Sequence, residues 1–211
     1  MNELHKLLSA ISVNLDDLLL DPNNPRFSEL GEELNPVLES RFAEEKIQKN
    51  TFESMKDPMF EVAELRETIT TIGFLPMDRI VVRKWRGQPQ EAAAKYVVVE
   101  GNRRVAALKW LLDLSSIGKE NLTAEQITNF TNLECLLLDD KLAPASASLI
   151  LPGLRHVSGI KEWGAYQKAK AVYALRQSGL SSQDAAQSLG LTTRAANSSY
   201  RCFLALEAIV R

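Results

Sequence analysis

Cysteine and histidine are scarce in this sequence, with two residues of each among 211. The cysteines, Cys135 and Cys202, form no closely spaced pair, and neither clusters with His5 or His156. A structural zinc site needs closely spaced thiolate and imidazole ligands, and a small secreted scaffold needs several cysteines. The sequence therefore argues against a bound metal or a disulfide framework, and it predicts a reduced, cytoplasmic protein.

Long apolar runs are also missing. No run reaches the roughly 18 residues that a membrane span requires, so no membrane partner is expected. Acidic residues at Glu3, Asp16 and Asp17 interrupt any signal-peptide layout. The chain ends at Arg211 within a helical pattern that has no stop signal, which predicts a truncated sequence. The 45% of apolar residues and 25% of charged residues are ordinary for a globular protein of one or two domains.

The charge is unevenly distributed along the chain. The formal net charge is only −2 at neutral pH, yet residues 142–211 hold eight lysines and arginines and three acids, a local charge of +5. The remainder carries −7. This asymmetry indicates that nucleic acid, if bound, meets the C-terminal part first.

A strand, a glycine and a helix follow one another in the middle of the chain. Tyr96–Val99 is a β-branched run typical of a buried strand, and Val105–Leu112 has the apolar pattern of a helix. Arg103 and Arg104 fall in the first turn of that helix, where the helix dipole favours an anion rather than a cation. Two interpretations stay open: a phosphate cradle that begins at Gly101-Asn102, or solvated arginines that bridge to acidic loops.

Patterns on either side of this stretch predict further elements. Residues 29–70 have two Glu-rich helical pieces, with Asp57 as a cap and Pro58 at the first position of the second piece. Gly73 ends that helix. Three further elements are expected: a strand at Arg79–Arg83 that forms a long-loop hairpin with Tyr96–Val99, a helix that starts with a Thr123/Gln126 capping box, and a strand at Leu133–Leu138.

The C-terminal part has the layout of a helix-turn-helix. Ser181 is a cap for one helix, Gly190 provides the turn, and a second helix begins near Thr193. Hydroxyl, amide and guanidinium groups on the second helix are those that contact phosphates and base edges in a major groove. The expected DNA-binding residues are Thr192, Thr193, Arg194, Asn197, Ser198 and Arg201. An ordinary helical bundle with polar surface residues is the alternative.

Four segments together resemble the ParB/sulfiredoxin-like superfamily, and specifically the ParB partition-type proteins. The segments are Asp21–Arg26, which is similar to an Asn-Pro-x-x-Pro-Arg opening, Ile72–Val82, the Gly-Asn-Arg-Arg box at Gly101–Ala107, and Gly159–Ala169, which leads into the helix-turn-helix. The resemblance covers most of the chain, and only residues 29–60 look like an insertion.

The resemblance implies an α+β fold with two domains. A ParB/sulfiredoxin-like domain with a small mixed sheet would span residues 1–141, and an all-α DNA-binding domain would span 142–211, with its helix-turn-helix at about 179–204. It also implies a cytoplasmic homodimer that binds double-stranded DNA, with a nucleoside triphosphate such as CTP or ATP, and Mg²⁺, as a switch. Partition and phage defence are two such biological roles. The implied nucleotide-binding residues are Gly73, Gly101, Asn102, Arg103, Arg104 and Arg155.

The chain departs from the family pattern where catalysis would need acids. Asn102 replaces the glutamate of the box, and Leu151 and Pro152 stand where a Glu-Asn pair would precede Arg155. Those acidic and amide groups would hold Mg²⁺ and activate water, so these departures count against hydrolysis without excluding it. Sulfiredoxin chemistry is rejected because it needs a thiolate in the box. Two other functions stay open: a nuclease or nucleotide-hydrolysing enzyme with Glu100, Asp139 and Asp140 as candidates, and a DNA-binding adaptor whose box arginines are paired with acids.

Overall fold

The computed structural model describes residues 8–30, 36–74, 79–87, 93–139, 165–189 and 191–210. The chain divides into two compact units. The sheet unit contains the described parts of residues 1–24 and 34–139, and the helical unit contains those of residues 25–33 and 140–211.

A mixed sheet of five strands forms the centre of the sheet unit in the described residues. The strands are β1 (Leu8–Asn14), β2 (Leu18–Leu19), β3 (Ile80–Lys84), β4 (Tyr96–Glu100) and β5 (Asn132–Leu138). Their order across the sheet is β1-β5-β3-β4-β2. The pairs β1/β5 and β3/β4 are antiparallel, whereas β3/β5 and β2/β4 are parallel. The predicted hairpin of β3 with β4 and the predicted small mixed sheet are both confirmed.

Four α-helices accompany this sheet in the described residues. They are α1 (Glu45–Met55), α2 (Val62–Ile72), α3 (Asn102–Ser116) and α4 (Ala124–Thr131). α3 packs against the other three helices. Its residues Val105, Leu108 and Leu111 are completely buried, which explains why the helix forms where the sequence has its broad apolar face. The capping box at Thr123 and Gln126 is present as predicted.

The strand β4 is buried on both faces of the sheet. Val97 and Val98 are adjacent and therefore point to opposite faces, and both are almost fully buried. Val97 packs in a cluster with Leu19 and Phe42. Because β4 is enclosed in this way, the position of its last residue and of the turn that follows it is strongly fixed.

The start of α2 differs from the sequence prediction. Asp57 does cap a helix, since its carboxylate accepts a hydrogen bond from the Met59 N–H at 3.0 Å. That helix is only a 3-10 turn, Pro58–Phe60, and Glu61 then adopts a left-handed conformation with φ of 51°. The expected continuous helix is therefore wrong at its first turn, because Glu61 breaks the chain direction before α2 begins. The prediction for the earlier piece is also wrong at its start, since Glu39–Arg41 is another 3-10 turn and α1 begins only at Glu45.

The helical unit consists of a 3-10 turn and three α-helices in the described residues. The elements are the 3-10 turn Pro25–Leu30, α5 (Ala165–Gln177), α6 (Ser182–Ser188) and α7 (Thr193–Val210). Leu175, Ala185, Leu189 and Ala196 are at most 1% exposed and form part of its core. The predicted all-α architecture is confirmed for the described residues of this unit. None of the described helices of the chain has the length and apolar character needed to cross a membrane.

Candidate functional site

The predicted helix-turn-helix is formed by α6 and α7. The Ser181 hydroxyl accepts a hydrogen bond from the Asp184 N–H at 3.1 Å and donates one to the Asp184 carboxylate, which fixes the start of α6. The turn is closed where the Leu191 N–H donates to the Ala186 carbonyl at 2.9 Å. The Thr192 hydroxyl accepts from the Ala195 N–H at 3.2 Å, so Thr192 caps α7.

The first half of α7 carries the predicted DNA-binding side chains in an exposed row. Thr193, Arg194, Ser198 and Arg201 are exposed, and Asn197 is half-buried. Positions 194, 197, 198 and 201 are three or four residues apart and therefore share one face of the helix. Arg201 also donates from Nε to the Asn197 carbonyl at 3.3 Å. The structure thus brings these five predicted residues together, with Thr192 at the helix start.

One cation of the helical unit was not singled out in the sequence. The guanidinium of Arg176, at the end of α5, lies over the ring of Tyr200 on α7, 5.5 Å from its centroid. Tyr200 in turn stacks on Tyr173, with ring centroids 5.8 Å apart. This cation–aromatic contact joins α5 to the same helix that carries the exposed row. The local signal for this cluster is Tyr173, one helical turn before Arg176 on α5, which is a weak pattern.

Gly101 forms the turn between β4 and α3. Its φ of 103° lies in the left-handed region, where glycine is favoured. A Cβ atom at this position would lie 3.2 Å from a side-chain carbon of Ile80 and 3.3 Å from the guanidinium of Arg104. The conformation therefore favours glycine, and a side chain here would also be in tight contact with Ile80. Gly73 also has a positive φ, of 83°, and ends α2 as predicted, but the space around it is open.

The side chain of Asn102 is used inside the protein. Its Oδ1 accepts a hydrogen bond from the Asp21 N–H at 2.9 Å, and its Nδ2 donates to the Val98 carbonyl at 3.0 Å. Asn102 is only 4% exposed. It therefore ties the turn at Asp21 to the end of β4, and that role accounts for a buried amide at the start of a helix.

Both box arginines face carboxylates. The Arg103 guanidinium lies 3.4 Å from the Glu61 carboxylate and donates to the Glu61 carbonyl at 3.2 Å. Arg104 lies 3.5 Å from the Glu100 carboxylate, and both of these side chains are largely buried. These contacts agree with the interpretation in which the box arginines pair with acids. Arg103 also holds Glu61 at its left-handed turn, a conformation that costs free energy in a non-glycine residue.

A third arginine–carboxylate pair of the sheet unit, Arg83 with Glu39, has shorter contacts. Arg83 donates two hydrogen bonds to the Glu39 carboxylate at 2.6 and 2.8 Å, in the bidentate geometry of a strong ion pair. The ordinary length for a charge-assisted N–H···O bond is about 2.7–2.9 Å. The contacts of Arg103 and Arg104 with Glu61 and Glu100 are longer than that.

Asp21, whose N–H donates to the Asn102 side chain, has a carboxyl with an altered pKa. The pKa of its carboxyl is raised to about 6, chiefly by burial. A hydrogen bond from the Asn23 N–H and the charge of Arg83 lower this pKa in part, and nearby Glu39 adds a smaller increase. Asn23 fastens the same turn to Val37 through two hydrogen bonds of 2.8 and 2.9 Å. The part of the family-like opening segment that belongs to the sheet unit, residues 21–24, is thus held in place by hydrogen bonds within that unit.

The candidate acids for catalysis are not gathered into a metal site in the described part of the chain. No group of three or more His, Cys, Asp or Glu side chains could hold a metal ion there. Glu100 faces Arg104, and Asp139 is exposed at the end of β5. Asp140 and the predicted nucleotide contact Arg155 lie outside the described residues.

Comparisons with known proteins find similarity among solved structures. No protein-family model and no curated protein matches the chain. Among solved structures, the chain is similar to the C-terminally truncated chromosome-partitioning protein ParB from Caulobacter crescentus, complexed to the centromeric parS site. The identity is 13% and the TM-score 0.46, over 90% of this chain and 70% of that one. At so low a similarity, function has to be derived from this chain's own residues.

Proposed function

We propose that the helical unit binds double-stranded DNA, with the first half of α7 in the major groove. The observation that carries the proposal is the exposed row on α7, at the second helix of a capped helix-turn-helix. Arg194 and Arg201 have no ion-pair partner within 4 Å among the described residues, so their charges are available to phosphates or guanine edges. Asn197 and Ser198, between them, supply amide and hydroxyl groups suited to base edges.

The charge distribution supports the same proposal. The net charge of +5 on residues 142–211 favours a polyanion, and the −7 on the rest of the chain disfavours one. A helix that reads the major groove also needs a rigid support, because phosphate and base contacts must be positioned together. The buried contacts of Ala185, Leu189 and Ala196 and the cap at Ser181 provide that support.

The test is a salt titration of duplex binding, in which fluorescence anisotropy measures the affinity. Each phosphate contact that is lost reduces the slope of log affinity against log salt by about 1. We expect Arg194→Ala and Arg201→Ala each to weaken binding by roughly tenfold at low salt and to flatten the slope. The control is Arg79→Ala, because Arg79 is an exposed arginine of the sheet unit and its loss changes the total charge equally. Binding by both α7 variants at the strength and slope of the control would contradict the proposal.

A second candidate function is a phosphate site at the box, for a nucleoside triphosphate such as CTP or ATP that regulates DNA binding. The observation that favours it is the position of Arg103 and Arg104, which follow the left-handed Gly101 in the first turn of α3. A phosphate at the start of α3 would gain from the helix dipole and from two guanidiniums. In this account Glu61 and Glu100 are competitors that the phosphate replaces.

Calorimetric titration with CTP, ATP, GTP and UTP, with and without Mg²⁺ and duplex DNA, tests this candidate. Competition predicts that Glu100→Gln strengthens binding of one nucleotide, whereas Arg104→Ala abolishes it. If no nucleotide binds either the parent or Glu100→Gln, the box is structural and the protein is a DNA-binding adaptor.

A further inference from the structure

The sheet unit contains a cleft at some distance along α3 from the arginine box. Its volume is about 510 Å³, within the range of roughly 300–1,000 Å³ typical of small-molecule sites. Leu18–Leu20, Phe52 and Leu112 supply apolar wall, and Lys109 lines the cleft two helical turns after the box. The cleft is therefore next to β2 at the edge of the sheet, and it belongs to the sheet unit alone.

Lys109 is the group that makes this cleft unusual. Its ammonium donates one hydrogen bond, to the Leu15 carbonyl at 2.9 Å, and within the described part of the chain it has no carboxylate within 4 Å. An ammonium group has three N–H donors. Burial lowers the pKa of Lys109, while the more distant Asp16 and Asp113 raise it in part. A largely buried cation with one carbonyl acceptor is costly, and a carboxylate bound in the cleft would remove that cost.

The charges around the cleft limit what kind of anion fits. Lysines and acids occur there in equal number: Lys49, Lys95 and Lys109, and Asp16, Glu45 and Asp113. A polyphosphate would meet no net positive charge and would approach three carboxylates. A single negative charge on an apolar body matches the Lys109 ammonium and the leucine and phenylalanine side chains of the wall.

We propose that this cleft binds a small monocarboxylate with an apolar body, its carboxylate on Lys109 and its body against Phe52 and Leu112. The site is separate from the arginine box and from α7, so it does not depend on the proposals for DNA or nucleotide binding.

The probe is 4-phenylbutyrate, with 4-phenylbutanamide as its uncharged analogue, titrated into the full chain by calorimetry and by backbone amide NMR. We expect saturable binding of the carboxylate with shifts at residues 15–20 and 109–113, and at least about tenfold weaker binding of the amide. The Lys109→Met variant should bind the carboxylate at least about tenfold more weakly than the parent does. The control is Lys46→Met, because Lys46 is an exposed lysine of α1 outside the cleft, and it should bind like the parent.

A second measurement needs no substitution. In lysine side-chain NMR, saturation with 4-phenylbutyrate should raise the pKa of Lys109, because the carboxylate stabilises the charged form. The proposal is overturned if neither probe binds at millimolar concentration, if the amide binds as well as the carboxylate, or if the pKa of Lys109 does not change on binding. It is also overturned if a folded Lys109→Met variant binds the carboxylate like the parent.

Discussion

A set of buried arginines in the sheet unit and a set of exposed arginines in the helical unit are used in opposite ways. In the sheet unit, Arg83, Arg103 and Arg104 are largely buried and face carboxylates. In the helical unit, Arg194 and Arg201 are exposed on one face of α7. The difference teaches that the most conspicuous basic motif of the sequence, the Arg-Arg box, is held by the fold, whereas the dispersed arginines of α7 are presented outward. We therefore expect removal of these arginines to lower the stability of the sheet unit but the DNA affinity of the helical unit.

We expect the largest effect on stability from replacing the buried Asn102, with the exposed-row residue Asn197 as its comparison. Asn102→Ala leaves the Asp21 N–H and the Val98 carbonyl without their side-chain partner, and we expect a loss of about 2–4 kcal/mol in the free energy of unfolding. Asn197→Ala, on the exposed row of α7, should lose less than about 0.5 kcal/mol. Chemical denaturation checks both, and equal losses would break the comparison.

Acid titration should give the next largest effect. The pKa of Asp21 is about 6 in the folded protein, above its ordinary value of 3.8, so between these pH values the folded state holds the proton more than the unfolded state does. The stability that this group contributes is therefore fully present below about pH 4 and is lost as the pH rises through about 6. Asp21→Asn keeps an oxygen to accept from the Asn23 N–H but has no proton to lose.

We therefore expect Asp21→Asn to gain stability relative to the parent as the pH rises from 4 to 7, reaching about 2 kcal/mol. Thermal unfolding across this pH range measures the difference. Parallel pH profiles for the two proteins would show that Asp21 is not the titrating group.

A smaller effect is expected from replacing one buried and one exposed arginine by methionine. This change removes the charge but keeps most of the aliphatic side chain. Arg83→Met leaves the Glu39 carboxylate without its bidentate partner and should cost about 1–2 kcal/mol of stability. Arg194→Met should leave stability unchanged within about 0.5 kcal/mol, because a solvated charge contributes little. A stability loss at Arg194 equal to that at Arg83 would show that α7 depends on its own arginine.

Local patterns predicted much of this fold. The strand and helix on either side of Gly101, the hairpin of β3 and β4, the capping box at Thr123 and the helix-turn-helix all depend on residues near one another in sequence. The strands β1 and β2 are not among the elements predicted from the sequence. β2 has only two residues, and its pairing with Tyr96 and Val97 is set by packing far along the chain.

The candidate sites also differ in how far local sequence patterns could predict them. The exposed row on α7 follows from helical periodicity and could be predicted residue by residue. The partners of the box could not, because Glu61 is 42 residues from Arg103 and its left-handed turn has no glycine to signal it. The cleft at Lys109 was equally invisible, since the contact of Lys109 with Leu15 joins residues 94 positions apart.

One matched pair of double variants tests the central claim most directly. Arg103→Ala/Arg104→Ala and Arg194→Ala/Arg201→Ala each remove two positive charges from one helix, α3 in the sheet unit and α7 in the helical unit. We measure duplex affinity at low salt and the free energy of unfolding for both. The account predicts that the α7 variant loses DNA affinity and keeps its stability, while the box variant loses stability and, below its unfolding transition, binds DNA like the parent in the absence of nucleotide. A stable box variant that no longer binds DNA, beside an α7 variant that binds normally, would contradict it.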